Sequence, residues 1–146
     1  MKKIWMCISL LFASCSSIPE RNLKDSINVI TDCPSAPHCV SSHASDQDRQ
    51  ISAILYKGSL QDFQTKIKTA IGQLPRTEIV KAEGPYVHAE ATSAILRFTD
   101  DLELYFVQAE SKIHVRSSSR TGYYDFDVNR SRVEKLREII SGNAQK

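Results

Sequence analysis

The densest chemistry in this chain lies between Lys112 and Arg132, which reads KIHVRSSSRTGYYDFDVNRSR. Arg116 and Arg120 offer planar guanidinium forks that match pairs of carboxylate or phosphate oxygens. Ser117 and Ser119 add hydroxyl donors between them. Asp125, Asn129 and Arg130 follow where a helix is expected to begin, and helix amino ends favour anions through unpaired N–H groups and a partial positive charge. Together Arg116, Ser117, Ser119, Arg120, Asp125, Asn129 and Arg130 form a candidate site for a small anionic ligand. A second reading fits the same residues: Asp125 neutralises one arginine, Asn129 caps the helix, and the cluster is an internal network of the fold. The residue types admit both.

Alternation along strands places His88, Glu90, Glu103, Tyr105, His114 and Arg116 away from the apolar faces. In an antiparallel sheet such a face is commonly solvated, but under a loop it would be the floor of a ligand site. Glu90 and Glu103 would serve as an acid and a base only if their surroundings drove their pKa values apart. The chain contains no Ser-His-Asp arrangement, phosphate-binding glycine loop or paired-histidine metal helix. No catalytic residue, cofactor or metal is therefore assigned. Asp100 and Asp101 lack the further oxygen ligands that calcium requires, and they read as a turn between strands.

The elements that must position these groups follow from periodicity. Leu60, Phe63, Ile67, Ala70, Ile71 and Leu74 recur at three- and four-residue steps and predict a helix over Ser59 to Leu74. Ser59 with Asp62 resembles a capping box, and Pro75 ends the helix. Strands are expected over Thr77 to Ala82, Tyr86 to Phe98, Leu102 to Gln108 and Lys112 to Ser117, with a further short one within Gln50 to Tyr56. Val128 to Ile140 closes the chain as a helix that buries Val133, Leu136, Ile139 and Ile140, capped by Asp127 or Asn129. Short connections favour an antiparallel meander. The expected fold is α+β: an antiparallel sheet of four to five strands with two helices packed on one face.

The amino terminus has a different character. Lys2 and Lys3 precede the apolar run Ile4 to Phe12, and Ala13-Ser14-Cys15 follows. This is the pattern of an export leader, too short to span a bilayer, which takes about 20 residues. A cysteine directly after Ala-Ser resembles the lipobox of bacterial lipoproteins. On that likeness residues 1–14 are a lipoprotein signal peptide, Cys15 carries lipid such as palmitate, 15–32 form a tether, and 33–146 form one domain. Removing Lys2 and Lys3 from the 19 basic residues leaves 17 against 17 acidic ones, so the mature chain is formally neutral. It lacks the broad positive field that nucleic-acid binding relies on. Of the four cysteines only Cys33 and Cys39 then remain, in an oxidising compartment that favours a disulfide. Zinc held by Cys33, His38, Cys39 and His43 is the competing arrangement, although no familiar zinc spacing matches.

Three segments carry a family likeness: CPSAPHCVSS at Cys33 to Ser42, LRFTDDLELYF at Leu96 to Phe106, and IHVRSSSRTGYYDFDVNRSRVEKLR at Ile113 to Arg137. With them the chain from Cys33 onward resembles domain of unknown function family 1499 of bacteria and plastids. That likeness implies an exported or organellar α+β domain without an established activity. Asp127 stands where the family pattern implies glycine, which marks a backbone position at positive φ. Ser16 after the lipidated cysteine resembles an outer-membrane sorting preference, so the expected location is the periplasmic side of the envelope, at the outer rather than the inner membrane. The expected role is non-catalytic binding of a small anionic ligand or an envelope component, with the membrane as a partner through the amino-terminal lipid. A structural or assembly role without a small ligand, and an enzyme with an unrecognised site, are the alternatives.

Overall fold

A computed structural model describes Ile30 and residues 32–142. The expected signal peptide, Cys15 and most of the expected tether fall outside the described residues.

Apolar residues at every second position build the sheet. They recur along β4 (Tyr86–Thr92), β5 (Thr99–Val107) and β6 (Lys112–Ser119), which pair antiparallel in chain order. The edge strand β3 (Thr77–Glu83) pairs with β4 and carries a bulge between Ile79 and Lys81. On the far side of β6 lie two short strands from the amino-terminal part, β1 (Cys39–Ser41) and β2 (Ile54–Leu55). The sheet thus has six strands in the order β1-β6-β5-β4-β3, with β2 also on β6. The α+β architecture is as the sequence predicts, with six strands where four to five are expected.

One sheet face is apolar, and α1 (Leu60–Ile71) and α2 (Val128–Ser141) cover it. Ile67, Ile71, Val133 and Leu136 meet Leu102, Leu104, Ile113 and Val115 in a core where each is fully buried. Burying a side chain of this size is worth about 1.5–3 kcal/mol. Ser59 caps α1 as expected: its Oγ accepts the Asp62 N–H at 3.1 Å and donates to the Asp62 carboxylate at 2.7 Å. Such a cap contributes about 1 kcal/mol.

Cys33 and Cys39 are joined as a disulfide with Cα atoms 5.6 Å apart. In the chain-entropy picture a ring this small contributes about 2 kcal/mol. The bond leaves no thiolate for zinc. His43 instead lies against His114, their ring centres 4.0 Å apart.

Several expected boundaries move. Asp100 and Asp101 are not a turn; both lie within β5. The turn comes earlier, between Ser93 and Phe98, where the Ser93 N–H donates to the Phe98 carbonyl at 2.9 Å and the Phe98 N–H to Ser93 Oγ at 2.8 Å. Nor is α2 capped by Asp127 or Asn129. Asp127 sits at φ 61°, the left-handed position expected of it, and makes no side-chain cap. The Asp125 carboxylate takes the role, accepting the Asp127 and Asn129 N–H groups at 3.1 Å each.

Candidate functional site

Because successive strand residues point to opposite faces, the nominated residues are divided by the sheet. Arg116 faces away from the helices and so does Arg120, which follows β6. Ser117, Ser119, Asp125 and Asn129 lie on the helix side. The structure therefore does not bring the two arginines to the amino end of α2.

On the helix-free face, pairing places His88 opposite Glu103 and Glu103 opposite Arg116, with Glu90 opposite Asp101. Cross-strand neighbours on one face are about 5 Å apart, so the charges meet. Arg116 Nη1 donates to Glu103 Oε2 at 2.7 Å, and Tyr86 Oη donates to Glu103 Oε1 at 2.8 Å. His88 Nε2 lies 2.7 Å from Asp101 Oδ1. Arg120 grips Asp101 with two bonds, Nε to Oδ2 at 3.0 Å and Nη2 to Oδ1 at 2.7 Å, and also donates to Glu90 Oε1. Burial pushes the Asp101 carboxyl up, but the His88 and Arg120 hydrogen bonds outweigh it and hold the group at about 2, against an ordinary 3.8. The Asp101 hydrogen bond likewise makes Arg120 harder to deprotonate, against a smaller opposing effect of burial and with help from Glu90.

His88, Glu90 and Asp101 offer ligand atoms within 4.8 Å of one another, the only such metal-sized group among the described residues. The Arg120 guanidinium already lies among them and balances both carboxylates. A metal ion would have to displace it. Further along the face, Ser42 Oγ contacts His114 Nδ1 at 3.1 Å, and burial, followed by the neighbouring His43 and Lys112, lowers the His114 pKa.

On the helix side, Asn129 is fully buried at the centre of a second network. Its Oδ1 accepts from Ser117 Oγ at 2.7 Å and from Arg132 Nη1 at 2.6 Å. Its Nδ2 serves the His38 carbonyl and Ser119 Oγ at 3.0 Å each and Asp125 Oδ2 at 2.8 Å. Arg132 closes the network on Asp100 at 2.5 Å. Arg130 stands apart, donating to the Asp48 and Gln50 carbonyls at 2.7 and 3.1 Å and pinning that loop to α2.

Asp100, Asp101 and Arg132 are the residues that sequence reasoning missed. One signal was present for Arg132: it is three residues after Asn129 and next to Val133, on the buried side of the helix. Asp100 and Asp101 were disguised by the turn preference of aspartate. Here that preference is overridden because each carboxylate has an arginine waiting, Arg132 for one and Arg120 for the other.

The arrangement has consequences for an anionic ligand. The N–H groups at the start of α2 are already served by the Asp125 carboxylate, an anion from within the chain. A cleft of about 350 Å³ at this end is lined by Asp46, Asp48, Asp125 and Asp127 against Arg49 and Arg130. Four carboxylates facing two guanidiniums repel an anion.

Residues 29–140 match the family described as Protein of unknown function (DUF1499). The chain belongs to that family. The match covers all strands and helices of this DUF1499 domain except the last residue of α2. No curated protein matches the chain.

Proposed function

We propose that this protein is a lipid-anchored component of a bacterial cell envelope, held through Cys15 on the periplasmic side of the outer membrane, and that its DUF1499 domain is a non-catalytic docking module for an envelope component. The observation that carries this reading is a division of labour in the side chains. The polar groups that would do chemistry are spent on one another: Arg116 on Glu103, Arg120 on Asp101 and Glu90, Arg132 on Asp100. At one end of the sheet the domain presents apolar groups outward. Ile95 is 90% exposed and Phe126 82%, in segments that leave the same end of the sheet. Exposed apolar groups of this size, gathered at one end, are the mark of an interaction surface.

Two further observations favour the compartment. A basic and apolar leader ends in Ala13-Ser14-Cys15, and the Cys33–Cys39 disulfide suits an oxidising environment. Binding of a small anion at Arg116, Ser117, Ser119, Arg120, Asp125, Asn129 and Arg130 has less support, since those groups are split between two faces and engaged with other groups of the chain.

The anchor is tested by growing cells with labelled palmitate. Wild-type protein is expected to carry the label and to fractionate with the outer membrane. Cys15→Ser is expected to lose both, because the thiol is the attachment point. Label retained on Cys15→Ser would refute the assignment.

A further inference from the structure

Seven of the ten exposed large hydrophobic residues among those described fall in two segments, 93–98 and 121–128. The first is the β4–β5 turn and presents Ile95, Leu96 and Phe98. The second joins β6 to α2 and presents Tyr123, Phe126 and Val128. They emerge side by side: the Arg120 N–H, at the start of one, donates at 3.1 Å to the carbonyl of Thr99, which directly follows the other. Each also holds a non-glycine residue in the left-handed region beside its exposed apolar groups, Arg97 at φ 52° and Phe126 at φ 55°. Backbone of this kind persists only where its surroundings enforce it, and it gathers at functional positions.

We infer that this end of the sheet seats in the interfacial layer of the bilayer that holds the anchor. The inference rests on the anchored reading above and names the occupant of the surface. Three features select a bilayer rather than a protein partner. The apolar groups are on loop tips, which penetrate a soft layer, and are not arrayed on a flat face or groove. Their composition is interfacial, with aliphatic side chains at the tip of one loop and tyrosine and phenylalanine in the other, as in the aromatic belts of membrane proteins. Exposed arginines stand among them. Arg97 lies within the first tip, and Arg76 is tied to the end of β4, its carbonyl accepting the Thr92 N–H and its Nε donating to the Thr92 carbonyl, both at 2.9 Å. The Arg97 guanidinium and the Arg76 Nη groups suit lipid phosphates, while Asp125 and Asp127 line the cleft beside the second loop and Asp125 is turned to the N–H groups at the start of α2.

The length of chain before the domain allows it. Ile30 lies near Tyr105 and Val107, at the far end of β5 from the tips. A strand the length of β5 spans roughly 30 Å. From Cys15 to Ile30 there are 15 residues, which reach about 50 Å when extended. An acyl chain and the loop tips can therefore enter the same leaflet. Tethering makes the second contact intramolecular, so weak insertion suffices.

The only tryptophan is Trp5, in the leader. It leaves with the leader on acylation, so each reporter is the sole tryptophan of the mature protein: Ile95→Trp, Phe126→Trp and, at the opposite end of the sheet, Lys57→Trp. Protein produced in cells from the full chain is reconstituted in phosphatidylethanolamine–phosphatidylglycerol vesicles with or without brominated acyl chains. Bromine is expected to lower emission at 95 and 126 at least twofold and to leave 57 unchanged. Sedimentation of the vesicles reads the anchor separately. Protein that sediments but is not quenched at 95 and 126 refutes the seating alone and leaves the tips to a protein partner. Protein that stays in the supernatant refutes the anchored reading and the seating with it.

Discussion

Asp101 gives the most decisive test of the charge network. Its carboxyl is held at about 2 against an ordinary 3.8, and each tenfold in protonation is worth about 1.4 kcal/mol. The charged form therefore contributes about 2 kcal/mol to folding. Its side chain is 17% exposed, so little of this is screened by solvent. A depressed carboxyl pKa stabilises the fold fully above the unfolded value and loses that stabilisation as pH falls through the folded one. The window is accordingly about pH 4 down to pH 2. Asp101→Asn keeps the shape and removes the charge, leaving Arg120 with Glu90 alone. At pH 7 the variant is expected to unfold about 2 kcal/mol more easily than wild type, a fall of about 10 °C in Tm for a domain of this size. Between pH 4 and 2 the two should converge, because wild type loses what the variant never had. Urea unfolding followed by far-ultraviolet circular dichroism at pH 7, 4, 3 and 2 measures this directly. The exposed Asp46 serves as control through Asp46→Asn. A variant as stable as wild type at pH 7 would refute the reasoning. A deficit that persists undiminished at pH 2 would show that packing, not charge, was removed.

Two further outcomes follow from the helix side of the sheet. Asn129→Ala removes the hub shared by Ser117, Ser119, Asp125, Arg132 and the His38 carbonyl. Since several partners keep a second bond, the expected loss is about 3–5 kcal/mol, read by urea unfolding; a change below 1 kcal/mol would mean that water replaces the side chain at no cost. Asp127→Gly should raise stability by about 0.5–1 kcal/mol, because the residue stands at φ 61° with no capping bond to lose. A lower melting temperature in that variant would show that the Asp127 side chain has a role which its hydrogen bonds do not reveal.

Much of the fold was legible in the sequence because its causes are local. The step of three and four from Leu60 to Leu74 and the Ser59 cap depend only on neighbours in the chain, and α1 starts where they predict, although it ends at Ile71 with Gly72 as its cap instead of running to Leu74. Leu102, Leu104 and Phe106 share one buried face for the same reason, since strand alternation needs no partner to be read. The pairing of Cys33 with Cys39 needed only their nearness. Even the division of the candidate site was latent in the numbering: Arg116 and Arg120 differ in parity from Ser117 and Ser119, and alternation carried past Ser117 to the end of β6 would have set them on opposite faces.

The partners were not legible, because charges pair through register and register is a tertiary property. The acid that holds Arg116 is 13 positions away on β5, and one of those that hold Arg120 is 30 positions away on β4. Those distances close only because the turn at 93–98 fixes how β4 and β5 align, and a slip of one residue would turn every side chain to the other face. The same register turned Asp100 inward to Arg132 and Asp101 outward to Arg120, where the sequence suggested a turn. Asp125 in turn caps α2 from outside the helix, because a left-handed residue at 127 folds the chain back upon it. The chain alone sets which residues are apolar, capped or cross-linked. Only the folded sheet decides which charges are spent internally and which apolar tips are left to face outward.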